Sequence, residues 1–372
     1  MRKRTIPLGR LLGIPIGLDP SWFLMFALVT WMLADSYFPG EFKNWPTAQY
    51  WIVSAVTAIL FFASIVLHEL GHSILALREK VPVRSITLFI FGGVAQIGRE
   101  PSTAGAEFRI AIAGPLTSLM LAGIASLLGR ILDASAVLAA PFVYVARINL
   151  MLALFNMIPG FPLDGGRVLR ALLWGLGGSF RSATRWASWA GRAVAYLFVL
   201  AGVWQIFLGS FLNGLWIAFI GWFLNNAAES SYQQVVLRDT LAGVPVRNVM
   251  AEQCLTVPGN AQVDRLVQDH VLGAGQRCFF VADEGALQGL ITLHNLRAIP
   301  AGRRHDMTAN QIMTPVDTVF RVRPDEDMLT VLQKMDEADV NQAPVMDNGY
   351  LLGVITREHL LHYIRLRSEL GV

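Results

Sequence analysis

The stretch IVLHELGHSIL, residues 65–75, decides the fold and the chemistry expected of this 372-residue sequence. It places His68 and His72 four residues apart, and residues at that spacing lie on one face of a helix. Two histidines on one face can bind a single metal ion, and Glu69 lies beside that ion without being a necessary ligand. The pattern is typical of a zinc hydrolase whose glutamate takes a proton from a metal-bound water.

The motif lies inside an apolar segment that is long enough to cross a membrane. Residues 50–77 contain no charged or histidine side chains other than those of His68, Glu69 and His72. Such side chains are expensive at this depth, so they indicate a functional site. A structural histidine pair is the alternative, but the membrane setting favours a metal site. The other five histidines all lie in the C-terminal third of the chain: His270, His294, His305, His359 and His362.

The composition is that of an integral membrane protein. The chain is 54% hydrophobic and 15% charged, and its mean hydropathy is +0.47. The net charge of +3 is modest and the basic residues collect in short loops, which argues against a nucleic-acid partner. Cys254 and Cys278 do not form a Cys-x-x-Cys pair, so they favour a reducing compartment without a disulfide framework.

Six apolar segments predict a polytopic α-helical membrane domain of about six transmembrane helices. The first segment contains bulky residues and no small-residue cleavage site follows it, which favours an uncleaved first span over a signal peptide. The predicted spans are residues 22–38, 50–77, 108–128, 137–158, 189–207 and 212–228.

Basic residues predict the orientation of these spans. They flank alternate ends, whereas the intervening loops offer only Lys43 and Arg130. By the positive-inside rule, both termini are cytoplasmic in a multi-pass protein of the cell membrane, the inner membrane in a bacterium. His68 and His72 then lie within the membrane on its inner side. The basic residues on the predicted cytoplasmic side are Arg2, Lys3, Arg4, Arg10, Arg78, Lys80, Arg84, Arg99, Arg167, Arg170, Arg181, Arg185 and Arg192.

Residues 83–97 are rich in β-forming side chains and predict a hairpin that is broken at Gly92 and Gly93. An apolar hairpin beside a membrane site can enter the bilayer where protein covers its backbone. It can also pair with an extended substrate by strand addition. A plain surface hairpin is the alternative.

A catalytic zinc ion requires a third protein ligand and an open position for water. Glu107 and Asp133 lie at span ends, whereas Asp164 lies in a segment broken by prolines and glycines that returns to the cytoplasmic side. We therefore expect Asp164 to be the third ligand, with a helix N-cap as its alternative role. Asn156 can hold a substrate carbonyl or the oxyanion formed on attack, or it can form an interhelical hydrogen bond.

The two motifs, HELGH at residues 68–72 and NxxPxxxxDGG at residues 156–166, resemble those of the site-2 protease family. This family consists of intramembrane zinc metalloproteases that cleave transmembrane segments of other proteins, and the resemblance covers about residues 1–230. There is no room for an inserted PDZ domain. The resemblance implies one zinc ion per chain bound by His68, His72 and Asp164, catalysis by Glu69 and Asn156, and substrate binding by Gly92, Gly93, Asn156 and Pro159.

Residues 231–372 contain an internal repeat. RNVM at residues 247–250 recurs as NQIM at 310–313, and GLIT at 289–292 recurs as GVIT at 353–356. Each copy, at about 243–300 and 308–366, predicts strand, helix, strand, strand and helix. The repeat resembles a tandem pair of cystathionine-beta-synthase (CBS) domains, which implies a soluble α/β unit on the cytoplasmic side.

This second resemblance implies regulation by an adenine nucleotide such as AMP or ATP. The family pattern ends each copy with Thr-x-x-Asp, whereas this chain has Thr292 with Asn295 and Thr356 with His359. We expect these four residues to contact a nucleotide if one binds. The alternative is a module for homodimerisation or docking.

Two functions from different classes are consistent with the sequence. The first is an intramembrane zinc endopeptidase that acts on a membrane protein substrate. The second is a transporter or metal-handling protein with a nucleotide-sensing tail, for which polar residues should be spread through both leaflets. Here they gather around one pair of motifs, which favours the protease, and the intact Glu69 argues against a catalytically inactive scaffold.

Overall fold

The computed structural model describes residues 5–90, 92–251, 255–273, 276, 278–283, 286–338, 340–348 and 350–370. The chain divides into two compact units, Met1–Val235 and Val236–Val372. The predictions for Cys254 and for the basic residues 2–4 lie outside the described residues. Cys278 is a free, half-buried thiol, and burial raises its pKa.

The first unit is built from long apolar helices. Within the described ranges, five are long and apolar enough to cross a membrane. They are Ser21–Glu41, α3 (Thr47–Arg78), α4 (Ala104–Ile131), α5 (Ala136–Asn156) and α7 (Phe180–Phe207). In the first of these, a wider π-helical turn at Leu33–Tyr37 separates α1 (Ser21–Met32) from α2 (Phe38–Glu41).

The sixth predicted span lies in α8 (Phe211–Leu241), which is a continuous helix of 31 residues. It carries Asn213, Asn225 and Asn226, and it is not among the five described helices that are long and apolar enough to cross a membrane. The total of six transmembrane helices therefore stays a prediction. A short helix, α6 (Asp164–Gly175), follows the broken segment between α5 and α7.

Glycines allow this broken segment to pack closely against its neighbours. A Cβ atom at Gly160 would collide with the Gly191 backbone of α7, and one at Gly166 would collide with the Gly160 backbone. The start of α6 is therefore held by backbone contacts, which fixes the position of Asp164 at its first residue.

A four-stranded sheet packs against α3, in the order β1 (Ile6–Leu11), β2 (Ile14–Leu18), β3 (Val83–Phe89) and β4 (Gly92–Ile97). The β2–β3 pair is parallel and the other two pairs are antiparallel. Leu18 and Leu88 contact Phe62 and Ile65 of α3. The sheet thus lies directly beside the histidine motif.

The predicted hairpin is present as β3 and β4, but the position predicted for its turn is wrong, and the rest of the sheet was not predicted. Gly92 and Gly93 are not in the turn; they begin β4 and pair with Phe89 and Leu88. The hairpin is also half of a larger sheet, because the N-terminal residues form β1 and β2. Local sequence does not reveal this arrangement, since the parallel partners Ile16 and Ile86 are far apart in the chain.

The second unit contains two similar halves. The first has β5 (Thr256–Val257), α9 (Val263–Arg265) continued by π-helical turns Leu266–Leu272, β6 (Cys278–Asp283), β7 (Ala286–Thr292) and α10 (Leu293–Arg297). Next come α11 (Ala309–Ile312) and β8 (Thr314–Pro315), and β8 pairs with β7 in the sheet of the first half. The second half has α12 (Met328–Glu337), β9 (Gln342–Asp347), β10 (Tyr350–Thr356) and α13 (Arg357–Leu370).

The two halves exchange the segments that precede them. Val246 and Val249, before the first half, are buried in the core of the second, with Met328. Ala309 and Ile312, before the second half, are buried in the core of the first. Neither half can therefore complete its hydrophobic core without the other.

Candidate active site

Both histidines of the motif are buried on α3 and face α4. His72 Nδ1 donates to the Ile110 carbonyl oxygen at 2.7 Å, so in the neutral ring Nε2 is the nitrogen that can bind a metal. His68 Nδ1 forms a hydrogen bond of 2.8 Å with Ser118 Oγ. These bonds fix the two rings with both Nε2 atoms directed at the same point, as in zinc sites whose ligands are held by outer partners.

Asp164 completes a cluster of three possible ligand atoms. Its Oδ2 atom lies 3.2 Å from His68 Nε2 and 3.1 Å from His72 Nε2, and the two Nε2 atoms are 3.3 Å apart. Tetrahedral ligands at the usual zinc distances of about 2.0–2.1 Å would be separated by about 3.3 Å. The donor set and its spacing therefore fit a zinc ion.

The backbone of α4 forms one wall of this cluster. A Cβ atom at Gly114 would collide with His72 Nε2 and would lie 2.6 Å from His68 Nε2. Only a glycine allows α4 to approach both imidazoles this closely. The closeness of the helix explains how Ile110 and Ser118, one turn to either side, reach the outer nitrogens of the rings.

Glu69 is half-buried and faces the sheet. Its Oε2 atom accepts a hydrogen bond of 3.1 Å from the Ala95 N–H of β4. A Cβ atom at Gly93 would lie 2.9 Å from Glu69 Cγ. The glutamate therefore lies between the His–Asp cluster and the outer edge of β4.

The other predicted residues of this unit have different surroundings. Glu107 is paired with arginines of α6, and Asp133 is exposed beyond the end of α4, so neither joins the histidines. Asn156 is the half-buried last residue of α5, and Pro159 is exposed in the loop that follows. Their catalytic and substrate-binding roles stay predictions.

Sequence reasoning missed Asn149, which is fully buried on α5. Its Nδ2 atom donates to Ser64 Oγ at 3.0 Å and to the Val145 carbonyl at 2.9 Å. Ser64 lies one turn before His68, so this bond ties α5 to α3 beside the site. The available signal was the spacing of seven residues between Asn149 and Asn156, which places both amides on one helix face.

The predicted nucleotide residues fall in two separate places. Asn295 Oδ1 accepts from the Thr292 N–H at 3.0 Å and from its hydroxyl at 2.6 Å, and Asn295 Nδ2 donates to the Ile312 carbonyl at 3.0 Å. This amide caps α10 and also binds the backbone at Ile312. In the second half, the His359 N–H donates to Thr356 Oγ1 at 3.1 Å, and the His359 side chain is half-buried.

Apolar helices that surround two histidines and an aspartate, with a glutamate alongside, define a membrane-bound metallopeptidase. The model of Peptidase family M50 matches residues 56–137 and 130–201, and that of the CBS domain matches residues 309–366. The chain belongs to peptidase family M50 and is a zinc metalloprotease of the site-2 type. This confirms the family predicted from the two motifs, and the CBS match confirms the class of the repeat.

Several relatives are similar along their whole length. The protein named zinc metalloprotease Rip3 of Mycobacterium tuberculosis is 36% identical over 95% of this chain and 91% of its own. The one named zinc metalloprotease sll0528 of Synechocystis is 30% identical over 96% of this chain and 95% of its own. The solved site-2 protease from Methanocaldococcus jannaschii is 30% identical, covers 61% of this chain and 95% of its own, and has a TM-score of 0.43.

We expect Gly114→Ala to weaken zinc binding by at least about tenfold, because the added methyl group occupies space that the two Nε2 atoms need. The matched control is Gly123→Ala on the same helix, where a Cβ atom meets nothing within 4 Å. Zinc retained by the purified proteins during titration with a chelator measures the effect. A Gly114→Ala protein that retains zinc like the control would contradict the expectation.

Proposed function

We propose that this protein is an intramembrane endopeptidase that cleaves transmembrane segments of other membrane proteins. The observation that carries the proposal is the convergence of His68, His72 and Asp164, within 3.3 Å of one another, among helices apolar enough to cross a membrane. We assign the catalytic domain to residues 1–230, with six spans and both termini on the cytoplasmic side of the cell membrane.

In this proposal, His68, His72 and Asp164 bind one zinc ion and Glu69 is the general base. Zinc, when bound, supplies a Lewis acid that polarises the peptide carbonyl and lowers the pKa of water. The Glu69 carboxylate would accept a proton from the attacking water and deliver it to the nitrogen of the leaving amine. The Ala95 N–H holds one carboxylate oxygen in place, and the Asn156 amide donates to the substrate carbonyl oxygen.

We further propose that the substrate binds as an extended strand along the outer edge of β4. The Ala95 N–H points away from β3 and toward Glu69. Because successive N–H groups of a strand point to opposite sides, the N–H groups of Gly93 and Ile97 also point away from β3. Among the described residues, no strand of this chain pairs with that edge. A peptide added there would be unwound from its helix and would pass beside Glu69.

The second unit, assigned to residues 231–372, is proposed to regulate the protease by binding AMP or ATP. The Asn295 amide is already hydrogen-bonded to Thr292 and Ile312, so the support for nucleotide binding comes from the second half of the unit. There a surface cleft of about 470 Å³ is formed by α13 alone and is lined by Glu358, His359, Leu361, His362 and Arg365. His359 and Arg365 suit a base and a phosphate, whereas Glu358 would repel a phosphate. Thr292 and Thr356 are the remaining proposed contacts, and homodimerisation through this unit is the alternative.

We expect Glu69→Gln to abolish cleavage of single-span test proteins co-expressed with the protease, a loss of at least about 100-fold, while zinc is retained. The control is Glu79→Gln at the end of the same helix, which removes only a surface ion pair with Arg109. Immunoblots of the fragments and the zinc content of each purified variant are the measurements. Cleavage by Glu69→Gln at the control's rate would refute the assigned role.

Gly93→Ala tests the strand-addition proposal. The new methyl group would lie 2.9 Å from Glu69 Cγ and 3.0 Å from Ile65 Cγ2, so we expect cleavage to slow by about 10- to 100-fold with zinc retained. Val94→Ala is the control, because Val94 is exposed on the same strand. Equal cleavage rates for the two variants would rule out this edge as the substrate site.

Nucleotide binding is tested by calorimetric titration of AMP and ATP into the full-length protein in detergent. We expect His359→Ala to raise the Kd by about tenfold, the loss of one hydrogen bond to a ligand, and the exposed control His305→Ala to leave it unchanged. If neither nucleotide binds to the wild type at millimolar concentration, the regulatory proposal fails. The oligomeric state in the same detergent then tests the dimerisation alternative.

A further inference from the structure

The position of Asp164 depends on how α6 is held. Asp164 is the first residue of this 12-residue helix, and the segment that precedes it is irregular. The Asp164 side chain projects from the side of α6. A rotation of the helix about its own axis would therefore move the Asp164 carboxylate away from the histidines. Gly165 and Gly166 pack against the backbone of residues 157–161 and hold the first turn of α6, whereas the later turns are held by other contacts.

A buried charge cluster joins α6 to α4. Glu107 is fully buried on α4, and its Oε1 atom accepts from Arg170 Nη2 at 2.6 Å and from Arg167 Nε at 3.1 Å. Arg170 is only 4% exposed and also contacts Glu100 Oε2 at 3.2 Å. The two arginines lie one and two turns after Asp164, so the cluster holds the body of α6 at two points.

Aromatic rings fix the second arginine further. The guanidinium carbon of Arg170 lies 5.0 Å from the centre of the Phe161 ring and 4.5 Å from that of Phe180. A planar guanidinium between two rings, with a carboxylate at its edge, has one preferred orientation. Phe161 belongs to the segment before α6 and Phe180 begins α7, so Arg170 connects three parts of the site.

Stability alone is a weak explanation for this cluster. Desolvation of buried ions offsets most of their mutual attraction, and apolar side chains of similar volume would often stabilise the protein as well or better. The Glu107 Oε2 and Arg170 Nε atoms are buried without a hydrogen-bond partner among the described residues, which adds to the cost. A network of directional ion pairs adds to apolar packing a specific constraint on which face of α6 meets α4.

We propose that Glu107, Arg167 and Arg170 are positioning residues for Asp164. They fix the rotation of α6 so that Asp164 Oδ2 stays within hydrogen-bonding distance of both Nε2 atoms before the metal binds. The inference rests on the proposed role of Asp164 as a zinc ligand.

The test is a double-mutant cycle on zinc affinity in the full-length protein. Chelator competition gives the affinity of the wild type, Glu107→Gln, Asp164→Asn and the double variant, and thermal unfolding checks that each is folded. We expect Glu107→Gln to weaken zinc binding by about 10- to 100-fold. In the Asp164→Asn background, the same substitution should have almost no further effect, because the ligand that it positions is already impaired.

Two variants complete the design. Glu229→Gln removes the Arg192–Glu229 ion pair between α7 and α8 and should retain wild-type affinity for zinc. Arg170→Lys keeps the charge but loses the planar guanidinium, and it replaces Glu107→Gln in the cycle if that variant does not fold.

Each outcome has a distinct meaning. Unchanged zinc affinity in folded Glu107→Gln, or an equal loss in both backgrounds, overturns the positioning role and leaves the proposed protease intact. A wild type that binds no zinc overturns the proposed function and this inference together.

Discussion

The structure depends on holding three ligand atoms within about 3.3 Å of one another in an apolar environment. Two imidazoles and one carboxylate achieve this because each is fixed by something other than the metal. Ile110 and Ser118 hold the outer ring nitrogens, and Gly114 lets α4 come close enough to do so. The site is thereby organised before any metal arrives, which reduces the cost of ordering it on binding.

The remaining elements of the first unit place the reacting groups around this cluster. The sheet packs on the face of α3 that carries Ile65, which brings the edge of β4 to Glu69. A transmembrane substrate presents its backbone only within a helix, where the scissile carbonyl is already hydrogen-bonded and closely covered. In the proposed function, the edge of β4 beside Glu69 would supply alternative hydrogen bonds for an unwound segment, so the strand that positions Glu69 would also help to open the substrate helix.

Local patterns were sufficient where the chemistry is local. The spacing of His68 and His72 follows from one helical turn. Asp164 lies 92 residues after His72, and it was predicted to join the histidines only because few carboxylates lie in the apolar half of the chain and because prolines and glycines break its segment. The long-range pairing of strands left no such signal: β1 and β2 were not predicted, because β3, the parallel partner of β2, follows only after α1, α2 and α3. The exchanged segments of the second unit were missed for the same reason. Aligning the two repeats by sequence shows which residues correspond, but it does not show in which hydrophobic core each segment is buried.

The distribution of buried charge favours chemistry at one depth over passage through the membrane. Among the described residues of the first unit, the ionisable side chains that are almost completely buried are His68, His72, Glu107 and Arg170. His68, His72 and Glu107 contact residues of α6, and Arg170 lies on that helix. A transport path requires polar groups in succession across both leaflets, because an ion must be solvated at every step. A single cluster around one short helix instead provides one place where water, a metal and a peptide bond can meet.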